Sequence, residues 1–403
     1  MTRVCIVVPY FDAQPHLDLV LEALELQTWP ADRLEVVVSD DGSPVVPELG
    51  RRPYRTTLVR QPDLGFRAAA ARNLGAAAGG GELLCFLDGD TVPDRGYVAA
   101  MVDAVRTGQV LAVGRRRHVD LHGWSAHRLR DWLLGTASGP DEHPAPQWLA
   151  DAYSRTDNLA TVGDDGYRFV IGAVLALPRS LFDRVGGFEE SFTEYGGEDW
   201  ELANRCWLAG ADFRHVPDAV AWHDGHDFAG RSEDHVAVKN VEGLATAPFI
   251  TDPAARGHGL LWPQPDVVVR LNDDGWTDVA LLLTVSSLLR DTDAGVWLSH
   301  ERPLAPLRGD PRVHVGDPDR QVLARCRYQV DVGEPLLLRG SRLRELCAEA
   351  PLGLGSALTV RRTRDLNRGH LDAPATTAFA VELLSDPDLD LERVWSRAAR
   401  DGW

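Results

Sequence analysis

Asp88-Gly89-Asp90 carries the most chemistry for its length. Two carboxylates one residue apart, directly after the apolar run Leu83–Leu87, can present oxygens to one hard divalent cation, Mn²⁺ or Mg²⁺, which can in turn bridge to a diphosphate. The spacing alone says little, because Asp291/Asp293, Asp317/Asp319 and Asp386/Asp388 repeat it. The preceding strand pattern is what sets the first copy apart, and the plainer reading is a polar turn ahead of a helix cap. Glu198-Asp199 follows Gly196-Gly197 and opens a helical pattern. Acids in a first turn are stabilised by the helix dipole, so capping competes with a role as general base, which is worth ~10²–10⁴ in rate. The paired glycines leave room for a ligand to approach. Asp40-Asp41 ends an apolar run and precedes Gly42-Ser43. It is either an Asx turn or a pair of acceptors for a nucleobase or ribose. Ala221-Trp222-His223-Asp224-Gly225-His226 adds two imidazoles, either of which could ligate a metal or simply pack. Trp124, Trp200 and Trp222 lie in polar surroundings and could stack on sugar faces.

These residues need elements to hold them. Val4–Val8, Leu34–Val38, Thr57–Arg60 and Leu83–Leu87 read as buried strands. Between and after them, helical spacing recurs at Leu17/Val20/Leu21/Leu24, over the alanine-rich stretch 68–78, and at Val98/Met101/Val102/Val105. Such alternation predicts an α/β fold with a mostly parallel sheet and helices on both faces, and ligands in that class sit beyond the carboxyl ends of the strands. Three of those ends carry Pro9-Tyr10-Phe11-Asp12, Asp40-Asp41 and Asp88-Gly89-Asp90. Residues 114–167 lose periodicity and read as an insertion or an acceptor-facing region. A strand over 169–177 and a helix over 199–208 follow.

At 403 residues the chain is long enough for two domains. Pro and Gly crowd 248–265, which reads as a linker between residues 1–247 and 266–403. Beyond it a strand, helix, strand pattern restarts at Val267–Val269. Tyr328–Gly333 followed by Ser341-Arg342-Leu343 echoes Phe169–Gly172 followed by Ser180-Leu181-Phe182. The expectation is a shortened second copy without the acidic motifs, serving structure or docking. With 42 basic and 60 acidic residues the net charge is −18, and Lys239 is the only lysine. That balance lacks the basic footprint of a nucleic-acid binder. Five scattered cysteines without a CxxC pair point to a reducing cytoplasm, and no apolar window is long enough to span a bilayer.

Taken in order, Val4–Asp12, Asp40–Ser43, the 65–75 stretch, Phe86–Pro93 and Gly186–Gly210 resemble the motifs of family-2 glycosyltransferases of the GT-A fold. The likeness is to the first transferase domain of bacterial chondroitin-polymerase-type enzymes, with a galactosyltransferase-type carboxyl-terminal motif. It covers about residues 3–245, with the second half as a degenerate GT-A-like domain. The resemblance implies transfer of a hexosyl group from a nucleotide sugar, UDP-linked, to a hydroxyl of a glycan or lipid-linked acceptor, with inversion, in polysaccharide or glycoconjugate biosynthesis. Pro9, Tyr10 and Asp12 would frame the base, with Asp40 or Asp41 on uracil or ribose and Arg72 near the base or diphosphate. Arg67, where a family member carries a neutral polar residue, joins the donor-binding set with Gly89. Asp88 and Asp90 would hold nucleotide and metal, His223 supplying a further ligand. Asp199 would be the base, Glu198 would orient acceptor or sugar, and Gly196, Gly197, Trp200 and Trp222 would line the acceptor side. Two other readings stand beside it: a catalytically silent carbohydrate- or partner-binding module, and a sugar nucleotidyltransferase. The latter is disfavoured by the absence of a glycine-rich basic loop after the first strand.

Overall fold

The computed structural model describes residues 2–194, 196–227, 235–257, 259–340, 342–376, 379, 381–384 and 389–401. Ser341, part of the echo noted above, lies outside them. The chain divides into two compact units, one built from residues up to Trp207 with Ala211–Thr246, the other from Leu208–Gly210 and the chain from Ala247 onward.

The first unit begins β1 (Val4–Tyr10), α1 (Gln14–Glu25), β2 (Leu34–Asp40), β3 (Arg55–Arg60), α2 (Ala68–Ala78), β4 (Leu83–Leu87), β5 (Thr91–Pro93) and α3 (Tyr97–Val105). It continues with β6 (Val110–Val119), α4 (Ala126–Leu133), β7 (Glu142–His143), α5 (Gln147–Arg155), β8 (Val174–Pro178), α6 (Arg179–Val185), α7 (Glu198–Leu208), β9 (Asp212–Asp224) and α8 (His235–Thr246). Its sheet runs β3-β2-β1-β4-β8-β6-β9-β5, with β7 on β6. Every residue of β2 and β4 is buried, as the continuous apolar runs require of strands covered on both faces. The alanines of α2 let it lie close to the sheet, and a Cβ on Gly75 would strike Val7 Cγ1.

The α/β class and mostly parallel sheet agree with the sequence reading, with two local departures. The strand expected over 169–177 is a 3₁₀ turn at Asp164–Phe169 followed by β8, which pairs antiparallel with both β4 and β6. A short apolar run marks burial and does not distinguish a buried turn from a strand. The stretch from 114 is not irregular at its start. Arg115–Val119 is the second half of β6, paired in parallel with Val220–Asp224 of β9 after a register shift at Gly114/Arg115.

In the second unit come β10 (Val267–Leu271), α9 (Asp278–Leu288), β11 (Ala294–Leu298), α10 (Ala305–Gly309), β12 (Val313–Val315), α11 (Arg320–Arg325), β13 (Tyr328–Val332), β14 (Leu336–Leu337), α12 (Arg342–Ala348), β15 (Leu352–Leu354) and β16 (Leu358–Arg362). Its main sheet runs β12-β11-β10-β13-β16-β15. The first four strands are parallel and β16 is antiparallel to β13, which repeats the pattern β3-β2-β1-β4-β8 of the first sheet. The Pro/Gly-rich 248–265 stretch is packed within this unit: Ile250 is fully buried and Arg256 bonds the carbonyls of Ala247 and Gln264. Among the described residues, no helix is long and apolar enough to cross a membrane.

Candidate active site

The carboxyl ends of β1, β2 and β4 open on one side of the first sheet, and the turns leaving them carry the acidic residues. Asp88-Gly89-Asp90 makes the turn from β4 into β5. Because β5 pairs antiparallel with β9, Thr91 lies opposite His223, and the Asp224 amide donates to the Asp90 carbonyl at 3.0 Å. That ladder brings His223 Nε2 to 3.5 Å from Asp90 Oδ2. Gly89 sits where an added Cβ would lie 3.0 Å from the Pro9 carbonyl oxygen, so the turn lies directly against the tip of β1.

Arg72, on α2, binds the turn to the distant helix α7. Its guanidinium donates to Asp88 Oδ1 at 2.8 Å and to Glu198 Oε1 at 2.7 Å, and the side chain is buried. Burial opposes its charge, but the two carboxylates outweigh that and raise its pKa above the ordinary arginine value, so it stays cationic. Glu198 keeps its second oxygen buried with no hydrogen-bond partner, on the wall of a cavity.

Asp199 follows Glu198 in the first turn of the same helix. Its Oδ2 accepts from the Gly172 amide at 2.8 Å and its Oδ1 from the Trp200 amide at 2.8 Å. Burial first, and the neighbouring Glu198 charge second, push its carboxyl up to about 7. Gly172 is one residue from Ala173, whose carbonyl accepts from the Asp88 amide at 3.3 Å, so the segment before β8 joins the two acidic sites from one side while Arg72 joins them from the other. Gly196 and Gly197, both at φ of 95°, turn the chain sharply into α7.

Two cavities meet at this junction and share Phe66, Arg72 and Asp88. One, of about 750 Å³, is lined by Pro9, Tyr10, Asp41, Gly89 and Asp90. The other, of about 770 Å³, is lined by Gly196, Gly197, Glu198, Asp199 and Trp200. His223 lines neither; it reaches Asp90 from behind the first.

Not every candidate faces these spaces. Asp40 is fully buried, with Oδ1 taken by the amide and hydroxyl of Ser43 and Oδ2 by Arg60 Nε at 2.5 Å. Of the pair, Asp41 is the one on the cavity wall, held by Gln61 Nε2 and by the Arg67 amide at 2.9 Å. Arg67 therefore contributes its backbone, and Phe66 beside it lines both cavities. Asp12, at φ of 43°, donates its amide to Ser43 Oγ and shapes the loop after β1. Trp222 departs from its expected place: strand alternation sends it to the face opposite His223, where it meets Trp132 edge-on and lies under Arg117. Trp124 belongs to the same aromatic cluster. His226 stacks on His143 at 3.8 Å, away from Asp90. Behind His223 sits His118, its ring 5.1 Å away, which burial and the nearby Arg116 and His223 push down to about 4, leaving it neutral near pH 7.

The residues fit a divalent cation in part. Asp90 Oδ2 and His223 Nε2 are an oxygen and a nitrogen donor separated by a span one cation can bridge, while Asp88 is tied by one oxygen to Arg72. Among the described residues, no three such side chains converge on one point, so a cation here would complete its shell from a ligand. Sequence reading missed Phe66, and it also missed Trp148, Arg155 and Arg168 on the Asp199 cavity wall. For Trp148 and Arg155 the signal was their place in the 114–167 stretch, one reading of which was an acceptor-facing region; Phe66 lies in the 65–75 motif and Arg168 just past the irregular stretch.

Residues 5–183 match the family model described as glycosyl transferase family 2, and residues 162–223 match one described as the N-terminal domain of galactosyltransferase. The chain is 29% identical over 256 residues to a chondroitin synthase of Escherichia coli, covering 59% of this chain and 37% of that protein. It is 34% identical over 284 residues to a validoxylamine A glucosyltransferase of Streptomyces hygroscopicus subsp. limoneus, covering 64% of this chain and 57% of that one. The matches thus span less than two thirds of these relatives' own lengths. A solved mannosyltransferase from Pyrobaculum calidifontis, in complex with GDP-Man and Mn²⁺, aligns at a TM-score of 0.42 with 21% identity over 60% of this chain and 61% of that one, a likeness too distant to bear on the site.

Proposed function

From the premise that residues 5–183 form a glycosyl transferase family 2 domain, we propose that this chain moves a hexosyl group from a nucleoside diphosphate sugar, UDP-linked, to an acceptor hydroxyl with inversion at the anomeric carbon. The observation that carries the reading is the pair of adjoining cavities meeting at Arg72 and Asp88, with Asp90 on one wall and Asp199 on the other. A leaving diphosphate needs positive charge, and a hydroxyl needs a base. Arg72 stands at the junction, a cation held at Asp90 would supply the positive charge on one side, and Asp199 would supply the base on the other.

On this reading the Asp90 cavity takes the nucleotide. Asp41 retains lone pairs for a base or ribose donor, and Phe11, half exposed at the mouth, offers a stacking face. Asp90 and His223 would hold a Mn²⁺ or Mg²⁺ ion, whose chemistry when bound is to offset the charge of the diphosphate as the glycosidic bond breaks. Arg72 adds a fixed positive charge at the junction and holds Asp88 and Glu198 in place. Glu198, with one unpartnered oxygen, accepts from a sugar hydroxyl. Asp199 takes the proton from the attacking hydroxyl, and its raised pKa makes it a stronger base at neutral pH than an ordinary aspartate.

We read the second unit as a degenerate copy of the same fold that serves structure or docking. What supports this is the repeated strand order together with the state of its strand tips. Asp273 there is fully buried and spends its oxygens on the Ser299 amide and Arg302.

The test is a panel of nucleotide sugars scored by thermal shift with Mn²⁺, followed by transfer assays with the donor that stabilises the protein. Asp199→Asn is expected to abolish transfer while donor binding persists. Loss of donor binding in that variant would point instead to a capping role and overturn the assignment of the base.

A further inference from the structure

We propose that one face of α5 and the 3₁₀ turn that follows it form the acceptor subsite, and that this subsite takes a sugar bearing an anionic substituent, a carboxylate or a phosphate. The proposal rests on the transfer reading above and deepens it.

Trp148, Asp151 and Arg155 stand at i, i+3 and i+7 on α5, so they share one stripe of the helix. All three line the cavity that contains Asp199. Trp148 is 53% exposed, in a protein whose other cavity-side tryptophan, Trp200, is half-buried beneath Lys239. An aromatic face left open in the cavity that holds Asp199 has the shape and polarity to pack on the C–H face of a pyranose.

The charge pattern narrows the class. Arg155 and Arg168 both line this cavity, and among the described residues neither guanidinium forms an ion pair or a hydrogen bond. Arg155 only rests over the Phe169 ring at 5.1 Å. Arg116 adds a buried Nε with no partner on the same wall, its other end reaching Asp227 at 3.4 Å. The acids nearby do not pair with them: Asp151 accepts from Gln147 Nε2, and neither it nor Asp165 forms an ion pair with either arginine. In a chain of net charge −18, unpaired guanidiniums on the wall facing the base are positioned for a bidentate anion.

The experiment uses the full chain with its Mn²⁺-supported donor and three acceptor probes: p-nitrophenyl β-glucuronide, the matching β-glucoside, and glucose 6-phosphate. The expected result is a kcat/KM for one charged probe about tenfold or more above the glucoside, the size of one charge-assisted contact. Which charged probe leads tells carboxylate from phosphate. In the double variant Arg155→Gln/Arg168→Gln that ratio collapses towards one, and in Trp148→Ala the KM rises for every acceptor. Equal use of charged and neutral probes by the parent, or an unchanged ratio in the double variant, overturns the proposal. Donor hydrolysis without acceptor reports on the transfer reading separately. Equilibrium binding of the three probes to donor-free protein reads the subsite without turnover: selective binding of a charged probe that the double variant loses supports it, and equal binding of all three refutes it.

Discussion

The carboxyl of Asp199 is where the proposed chemistry meets a measurable proton. With its pKa at about 7, roughly one tenth of the protein carries it ionised at pH 6 and nine tenths at pH 8. If it is the base, kcat/KM for transfer rises about tenfold between those pH values and levels off above pH 8. An aspartate of ordinary pKa would leave the profile flat over the same range. The same proton shows in stability, with a fixed sign. Because the folded-state pKa lies above the unfolded one, the folded protein holds the proton more tightly, and stability falls as pH rises through 7. Linkage puts the loss between pH 6 and pH 8 at about 1.4 kcal/mol. Asp199→Asn removes this component and lowers transfer by ~10²–10⁴. Its amide can accept from only one of the two backbone donors now served, Gly172 and Trp200, so its melting temperature is compared across pH and not with the parent at one pH. The assays are initial-rate transfer from pH 5.5 to 8.5 and thermal denaturation at pH 6 and pH 8. A flat rate profile, a variant within tenfold of the parent, or an identical pH dependence of melting in both proteins would refute the reasoning.

Other perturbations separate structure from function among the remaining candidates. Arg72→Met leaves Asp88 and Glu198 without their shared cation and is expected to cost roughly 3–5 kcal/mol by chemical denaturation, the effect of breaking a buried pair; a cost under 1 kcal/mol would show that the bridge does not organise the site. Asp90→Asn or His223→Ala should raise the Mn²⁺ concentration for half-maximal transfer by at least the ~10–100-fold that follows loss of even an outer-sphere partner, whereas an unchanged metal titration would remove both from the ligand set. Asp40→Asn is expected to lower stability by about 1–3 kcal/mol because it breaks a buried network with Ser43 and Arg60. Asp41→Asn should instead raise the donor KM with little effect on melting, and a reversal of those two phenotypes would reassign the pair.

The central elements of the first unit were legible because their information is local. β1, β2 and β4 are runs of apolar residues between turn signals, and the 3.6-residue periods of α1 and α3 lie within a single helix. The second half of β6 escaped notice because Arg115, Arg116, Arg117 and His118 are polar and break the apolar run that marks a buried strand. β8 was expected from residue 169 and begins at Val174, because a short apolar run marks burial and fits a buried turn as well as a strand. In the site, the acidic strand tips and the start of α7 stood out by residue type and position. Which of them remain available did not, for the partners that decide it lie far along the chain: Arg60 is 20 residues from Asp40, and Glu198 is 126 from Arg72. Trp222 shows the same limit, because its register against β5 determines which face it takes.

The amino-acid order alone determined that this chain is an α/β protein with acidic residues at the carboxyl ends of its first-half strands. Periodicity and turn chemistry act over a few residues, so they can be read without coordinates. Tertiary structure decided that Arg72 ties two acids into one junction, that Asp40 is spent on packing while Asp41 faces a cavity, and that Asp199 is desolvated enough to titrate near neutrality. Those outcomes depend on burial and on partners brought together across the sheet, and free energies of that origin exist only once the chain has closed around them.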